Sequence, residues 1–108
     1  MVAAIGAVAV ASASIASADD PAYLLNVTVR PGYHFANADQ ALAYGHGICQ
    51  KIAAGEGYAS IVGDIKTDLS TSDEYQATYL ISQAAQELCP NLIWQLRNSA
   101  TNYLPSPA

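Results

Sequence analysis

The 108-residue sequence has little positive charge: four lysine and arginine residues stand against nine acidic ones, which gives a formal net charge of −5. The basic residues are scattered along the chain rather than clustered, at Arg30, Lys51, Lys66 and Arg97. Proteins that bind nucleic-acid backbones or anionic lipid present a basic patch on their surface. The composition therefore argues against nucleic acid and anionic lipid as partners of this chain.

The sequence also lacks the motifs of common catalytic and metal sites. It contains no Gly-x-Ser-x-Gly elbow, and its two histidines, His34 and His46, lie apart without a supporting cysteine or paired carboxylate for zinc. Asp64 and Asp68, one helical turn apart, are better explained as a solvated helix edge. No set of acid, base and stabilising group can be assembled. We therefore predict no enzymatic activity, no metal and no cofactor, with a hydrolase as a remote alternative.

Residues 1–18 have the features of a signal peptide. They carry no charged side chain and end in Ala16-Ser17-Ala18, directly before Asp19-Asp20-Pro21. Small residues at the two specificity positions are typical of a signal-peptidase site, so we predict cleavage after Ala18 and export to the secreted fraction or the cell envelope. The stretch is rich in Ala and Ser rather than Leu, Ile and Phe, so no stable membrane span is expected after cleavage. A basic n-region is missing, and we expect the true translation start to lie upstream.

The rest of the chain predicts a single helical domain over residues 19–102 and a flexible tail over 103–108. Apolar residues recur at three- and four-residue steps over 38–52, 58–68 and 78–89, which is the pattern of amphipathic helices. Shorter helices are predicted over 21–27 and 91–102. Prolines at 105 and 107 prevent the tail from continuing the last helix. The predicted fold class is an all-α bundle of four to five short helices with short connections.

Local residue types predict where the helices begin and end. Asn37 is a good N-cap, with Gln40 three residues later in a capping-box-like position. Gly55 is placed to end that helix, and Ser70 or Thr71 is placed to cap the helix that contains the 78–89 stripe.

Cys49 and Cys89 are the two cysteines of the chain, 40 positions apart. Each lies near the C-terminal end of a predicted helix and on its core-facing side. Two cysteines in a small exported domain usually pair, so we predict a structural disulfide that contributes about 4 kcal/mol of stability. A redox-active dithiol is the alternative, but the pair lacks Cys-x-x-Cys spacing and has no neighbouring cation apart from Lys51.

Several short segments follow one another in a characteristic order: Ala22-Tyr23-Leu24-Leu25, Asn37-Ala38-Asp39-Gln40-Ala41-Leu42, Gly45-His46-Gly47-Ile48-Cys49, Ala53-Ala54-Gly55, Leu69-Ser70 and Glu87-Leu88-Cys89-Pro90. This order resembles the domain of unknown function family numbered 732, which occurs in small exported proteins of mycobacteria and related actinobacteria. The most specific elements are Gly45-x-x-x-Cys49 and Cys89-Pro90. The resemblance implies export, a helical fold and the disulfide, and it implies no activity. Residues 26–35 and the apolar segment after Pro90 depart from the family pattern.

The seven tyrosines are too many to be all in the core of so short a chain. Tyr and Trp favour interfaces because they combine a large contact area with a polar tip. We therefore predict a partner surface at Tyr33-His34-Phe35, within the atypical segment, or at Trp94 with Leu92 and Leu96. A competing interpretation is that Trp94 covers the open end of the bundle.

Together these features predict a non-enzymatic module that recognises another protein or a cell-envelope component. A carrier of a small ligand, either an apolar molecule or haem held between the helices, is the alternative. The haem or metal form of this hypothesis would use Tyr33-His34-Phe35 and Tyr44-x-His46, and is weakened because neither His has an evident hydrogen-bonding partner.

Overall fold

A computed structural model describes residues 19–105, so the predicted signal peptide and the last three residues lie outside the described part. The described chain contains five α-helices and no strand, which confirms the predicted all-α class. The helices are α1 (Asp20–Thr28), α2 (Ala38–Ala53), α3 (Tyr58–Leu69), α4 (Glu74–Gln83) and α5 (Ile93–Ser99). A π-helical turn (Ala84–Leu88) extends α4, and a 3₁₀ turn (Pro90–Leu92) precedes α5.

The start of α2 confirms Asn37 as the N-cap and shows a variant of the predicted capping box. The Asn37 side-chain oxygen accepts a hydrogen bond from the Gln40 backbone N–H at 2.8 Å. In return, Gln40 Oε1 accepts a hydrogen bond from the Ala36 backbone N–H at 2.7 Å. The first bond satisfies a backbone donor of the first turn of α2. The second bond fixes the residue that precedes the N-cap. At the other end, Gly55 has a φ of +90°, the conformation that commonly follows a helix.

The predicted cap of α4 is wrong. Asp73, rather than Ser70 or Thr71, is the N-cap, and its carboxylate accepts a hydrogen bond from the Tyr75 backbone N–H at 3.0 Å. Ser70 instead ends α3 in a left-handed conformation with a φ of 54°, and the Thr71 N–H bonds back to the Lys66 carbonyl. Ser70 thus belongs to the C-terminal closure of α3. Thr71 joins the two helices, because its N–H closes α3 while its hydroxyl accepts a hydrogen bond from the Asp73 backbone N–H at 3.0 Å.

The core is formed by apolar side chains from all five helices, and no polar or charged residue of the described chain is buried. Full burial of each large apolar side chain contributes about 1.5–3 kcal/mol to the stability of the fold. The largest fully buried side chains are Tyr23, Val27, Ile52, Ile61, Ile65, Leu80 and Ile81.

The buried face of α4 is broader than the predicted stripe. The structure confirms the burial of Ile81 and of the apolar residues that follow it, but Thr78 and Ser82 are only partly buried. The core also contains three residues outside the predicted stripe, namely Ala77, Leu80 and Ala84. Hydroxyl side chains tolerate the margin of a buried face because they can bond to their own helix, as Ser82 Oγ does to a backbone carbonyl.

The C-terminal segment is helical over a shorter range than predicted. After Pro90 the chain makes a 3₁₀ turn before the seven residues of α5. Tyr103, at the start of the predicted tail, packs edge-on against Tyr58 with 4.9 Å between ring centroids. The Tyr103 hydroxyl donates a hydrogen bond to the Glu74 carboxylate. The described C-terminal segment is thus attached to α3 and α4.

The predicted disulfide is present. Cys49 near the end of α2 is bonded to Cys89 after the π-helical turn, with an S–S distance of 2.07 Å. The bridge therefore ties α2 to the end of α4. Within residues 19–105, no helix combines the length and apolar character that crossing a membrane requires.

Candidate partner-binding surface

The loop between α1 and α2 is held against the N-terminal half of α4. The Arg30 guanidinium lies over two rings of α4, 4.6 Å from the centroid of Tyr75 and 4.2 Å from that of Tyr79. These distances are within the range of cation–π attraction. Tyr75 and Tyr79 share one face of α4 because they are four residues apart. The pair of rings thus gives the loop its first attachment.

Gln76 provides the second attachment of the loop. Its side-chain amide donates a hydrogen bond to the Pro31 carbonyl at 3.3 Å, and its backbone carbonyl accepts one from the Tyr33 hydroxyl at 2.6 Å. Gly32 has a φ of +106°, and a Cβ there would lie 1.7 Å from Gln76 Nε2. The turn therefore favours a glycine, and a Cβ at this position would also push the Gln76 amide away from Pro31.

Three aromatic rings, from Tyr33, Phe35 and Tyr44, form what we call the Phe35 cluster. The Phe35 centroid lies 6.3 Å from that of Tyr33 and 5.6 Å from that of Tyr44. The Tyr44 hydroxyl donates to Asp68 Oδ2 at 2.7 Å. Burial raises the pKa of Tyr33 to about 12, and burial, reinforced by Asp68, raises the pKa of Tyr44. Both hydroxyls therefore remain protonated donors at neutral pH.

Phe35 separates two grooves that open to solvent. The first, which we call the Asp68 groove, has a volume of about 370 Å³ and is lined by Gly32, His34, Phe35, Gln40, Tyr44, Asp68 and Leu69. The second, the Leu24 groove, has a volume of about 390 Å³ and is lined by Leu24, Val27, Thr28, Tyr33, Phe35, Asn37 and Ala38. Their volumes are in the range of ligand-binding clefts. The structure thus gives the predicted residues different positions: Phe35 stands between the grooves, His34 lines one of them, and Tyr33 anchors the loop.

The structure does not gather the residues of the haem or metal hypothesis around one point. His34 lines the Asp68 groove, whereas His46 Nε2 lies 3.8 Å from Asp20 Oδ1 on α1. The hydroxyls of Tyr33 and Tyr44 are already bonded within the protein. No three His, Cys, Asp or Glu side chains of residues 19–105 come close enough together to hold a metal ion.

Trp94 is an exposed residue of α5. Its relative exposure is 72%, so the interpretation that it covers the open end of the bundle is wrong. Leu96, predicted to share its surface, turns into the core with 9% exposure. The neighbour of Trp94 on the outer face is Arg97, whose guanidinium lies 5.5 Å from the Trp94 ring centroid. Trp94 and Leu96 are two residues apart and therefore point to different sides of the helix.

The two predicted surfaces lie at different ends of α2. Phe35 contacts Tyr44 in the first half of that helix. α5 contacts its last turn, where Gln95 Nε2 donates to the Ile52 carbonyl at 2.6 Å. At about 1.5 Å per residue, Tyr44 and Ile52 are separated by about 12 Å along the helix axis. Phe35 and Trp94 therefore belong to separate surfaces.

Residues 19–91 match the model of a family described as Protein of unknown function (DUF732). The match contains α1 to α4, both cysteines and the whole Phe35 cluster. No curated protein and no solved structure matches the chain.

Proposed function

The chain belongs to the family described as Protein of unknown function (DUF732), and we propose that it is an exported, non-catalytic module that binds another protein through the Phe35 cluster and its two grooves. The observation that carries this proposal is the position of Phe35. It is a partly exposed aromatic side chain between two open grooves, on a loop that is fastened to α4 at several points.

Export is supported by two features. The predicted cleavage point after Ala18 directly precedes Asp19, the N-cap of α1, so cleavage would leave the helical domain whole. The Cys49–Cys89 bridge suits an oxidising compartment. Mass measurement and N-terminal sequencing of protein from the culture medium and the cell envelope test this part. We expect a chain that begins at Asp19 and is two hydrogens lighter than its reduced form. An uncleaved chain, or free thiols in exported protein, would contradict it.

Binding at the Phe35 cluster is supported by its preorganisation. Arg30 and Tyr33 hold the loop on α4 in the unbound protein, so little conformational entropy is lost when a partner arrives. Aromatic side chains, phenylalanine included, are enriched at the cores of protein interfaces. A surface module is favoured over a carrier because the buried residues form one continuous apolar cluster, whereas the two grooves lie at its outside.

The test is affinity capture from envelope and culture extracts with the mature protein as bait. Phe35→Ala is expected to lose the captured partner, because it removes the ring that both grooves share. Trp94→Ala is the matched control, since it removes an exposed aromatic side chain of α5, which lies near the other end of α2. Thermal unfolding of both variants establishes that they are folded.

A partner that binds wild type and Phe35→Ala equally would contradict the proposed surface, as would the absence of any reproducible partner. Loss of the partner in Trp94→Ala alone would assign recognition to the α5 surface instead. Tyr33→Ala is a poorer probe, because loss of the Tyr33 hydroxyl also removes one of the hydrogen bonds that hold the loop to Gln76.

A further inference from the structure

The polar wall of the Asp68 groove is a carboxylate. Asp68 is exposed, and its Oδ2 accepts the hydrogen bond from Tyr44. No basic side chain of residues 19–105 lies within ion-pair distance of it. The groove therefore presents an exposed carboxylate that has no ion-pair partner among the described residues to a molecule that enters it.

The basic residues of the chain are engaged elsewhere. Lys51 Nζ lies 2.8 Å from Asp64 Oδ2, and Lys66 Nζ lies 2.7 Å from Glu74 Oε1. Arg30 is stacked on two tyrosine rings, and Arg97 lies over Trp94 on α5. With a net charge of −5, the protein repels anionic ligands at long range and attracts cationic ones.

The apolar wall of the same groove is aromatic. Phe35 and Tyr44 line it beside Asp68. A carboxylate next to aromatic rings suits a cation, because the ring faces and the carboxylate both attract positive charge. The chain already uses tyrosine rings in this way, since Arg30 is held by Tyr75 and Tyr79.

We propose that the Asp68 groove receives a lysine or arginine side chain of the partner protein, while an adjoining apolar residue of the same segment occupies the Leu24 groove. This inference rests on the proposed function and names the chemistry of the partner. The Leu24 groove suits an apolar residue because Leu24 and Val27 line it together with Tyr33 and Phe35. An extended segment that crosses Phe35 can reach both grooves.

The test is a titration of isotope-labelled mature protein, followed by two-dimensional NMR, with small probes of known charge. N-acetyl-arginine amide is the cationic probe. N-acetyl-citrulline amide is its matched control, since a neutral urea replaces the guanidinium with little change in shape. We expect the arginine probe to shift the amide signals of His34, Tyr44 and Asp68. The citrulline probe should bind about fivefold more weakly, the range of a partly exposed ion pair with a cation–π contact.

Two variants test which carboxylate causes the preference for the arginine probe. Asp68→Asn is expected to abolish the preference for arginine over citrulline while leaving the fold intact. Asp39→Asn removes an exposed carboxylate that lies on α2 and does not line either groove, and it should keep the preference. Equal binding of the two probes, no shift at the groove, or an effect of Asp39→Asn equal to that of Asp68→Asn would overturn the inference. Tighter binding of a neutral sugar such as chitobiose would also overturn it.

The capture experiment separates this inference from the proposed function. A partner lost in Phe35→Ala but retained in Asp68→Asn at all salt concentrations would uphold the binding surface and refute the cationic segment. Loss in both variants, together with weaker capture by the wild type at high salt, supports both. Retention in Phe35→Ala refutes the proposed function, and the probe titration then decides whether the groove selects cations.

Discussion

The Tyr23 ring of α1 lies against Gly45 of α2, with no room for a side chain between them. A Cβ at Gly45 would lie 2.7 Å from Tyr23 Cζ and 2.6 Å from Leu88 Cδ1. Tyr23 cannot easily move away, because it is fully buried and its hydroxyl donates to the Ala41 carbonyl at 3.0 Å. The glycine thus lets three helical segments, α1, α2 and the end of α4, meet at one point.

This contact predicts that alanine substitutions at two glycines of α2 change the stability of the protein in opposite directions. Gly45→Ala should destabilise the protein by about 1–3 kcal/mol, as overpacking of a core does. Gly47→Ala should stabilise it by about 0.5–1 kcal/mol, because a Cβ there meets nothing within 4 Å and alanine favours the helix. Urea unfolding of both variants measures the difference. Equal stability of the two variants would show that the Tyr23 contact is not tight.

Much of the fold could be predicted from the sequence because its signals are local. The Asn37 cap, the glycine after α2 and the apolar spacing of α2 and α3 each involve residues within a few turns of one another. The cysteine pairing followed from the predicted export, since two cysteines in a small domain of an oxidising compartment usually pair. These predictions needed no knowledge of how the helices pack.

The residues of the proposed binding surface could be predicted only in part. The atypical segment marked Tyr33 and Phe35, but not the residues that hold them in place. Arg30 meets Tyr75 and Tyr79 across more than forty residues of chain, and no local pattern reports such a contact. The spacing of Tyr75 and Tyr79 was the available signal, because residues four apart form one ridge on a helix.

A second pair of glycines tests the anchoring of the loop. Gly32 and Gly55 both have positive φ, so alanine is strained at each position by about 1–3 kcal/mol. Only at Gly32 would the added Cβ also displace the Gln76 amide and break its bond to Pro31. We expect Gly32→Ala to be less stable than Gly55→Ala by about 1 kcal/mol, the net value of such a bond.

The two glycine variants also separate an effect on the anchoring of the loop from an effect on the stability of the whole domain. Hydrogen exchange in the loop should accelerate in Gly32→Ala and remain unchanged in Gly55→Ala, and partner capture should fall only in the former. Identical exchange in the two variants would mean that Gln76 does not hold the loop.

Loss of the disulfide should remove a large part of the stability. For cysteines 40 positions apart, the chain-entropy model predicts a loss of about 4 kcal/mol on reduction. Unfolding by urea with and without reductant measures this. The double variant Cys49→Ala/Cys89→Ala should match the reduced wild type and be indifferent to reductant. A wild type whose stability is unchanged by full reduction would contradict the structural role of the bridge.

The contact between Tyr103 and Glu74 predicts how stability depends on pH. Burial acts to raise the pKa of Glu74, but Lys66 and Tyr103 outweigh it and hold that pKa below its ordinary value of 4.5. The carboxylate is therefore favoured in the folded protein, and its contribution to stability is lost as the pH falls below about 4.5.

Burial and Glu74 raise the pKa of Tyr103 from 10.0 to about 12. Its contribution is therefore present below pH 10.0 and is lost as the pH rises through about 12.

Two variants separate the acid limb from the alkaline limb of this dependence. Glu74→Gln should lower stability at neutral pH by about 1 kcal/mol, as for an ion pair near the surface, and should flatten the decline on the acid side. Tyr103→Phe should flatten part of the alkaline decline and remove one late step from the tyrosinate absorbance titration. Asp39→Asn is the control for the removal of one carboxylate, because Asp39 forms no ion pair within the described residues, and it should leave the alkaline limb as in wild type. If Tyr103→Phe follows the wild type at alkaline pH, the Tyr103 hydroxyl does not bind Glu74 in solution, and the C-terminal segment is not held to α4 by this contact.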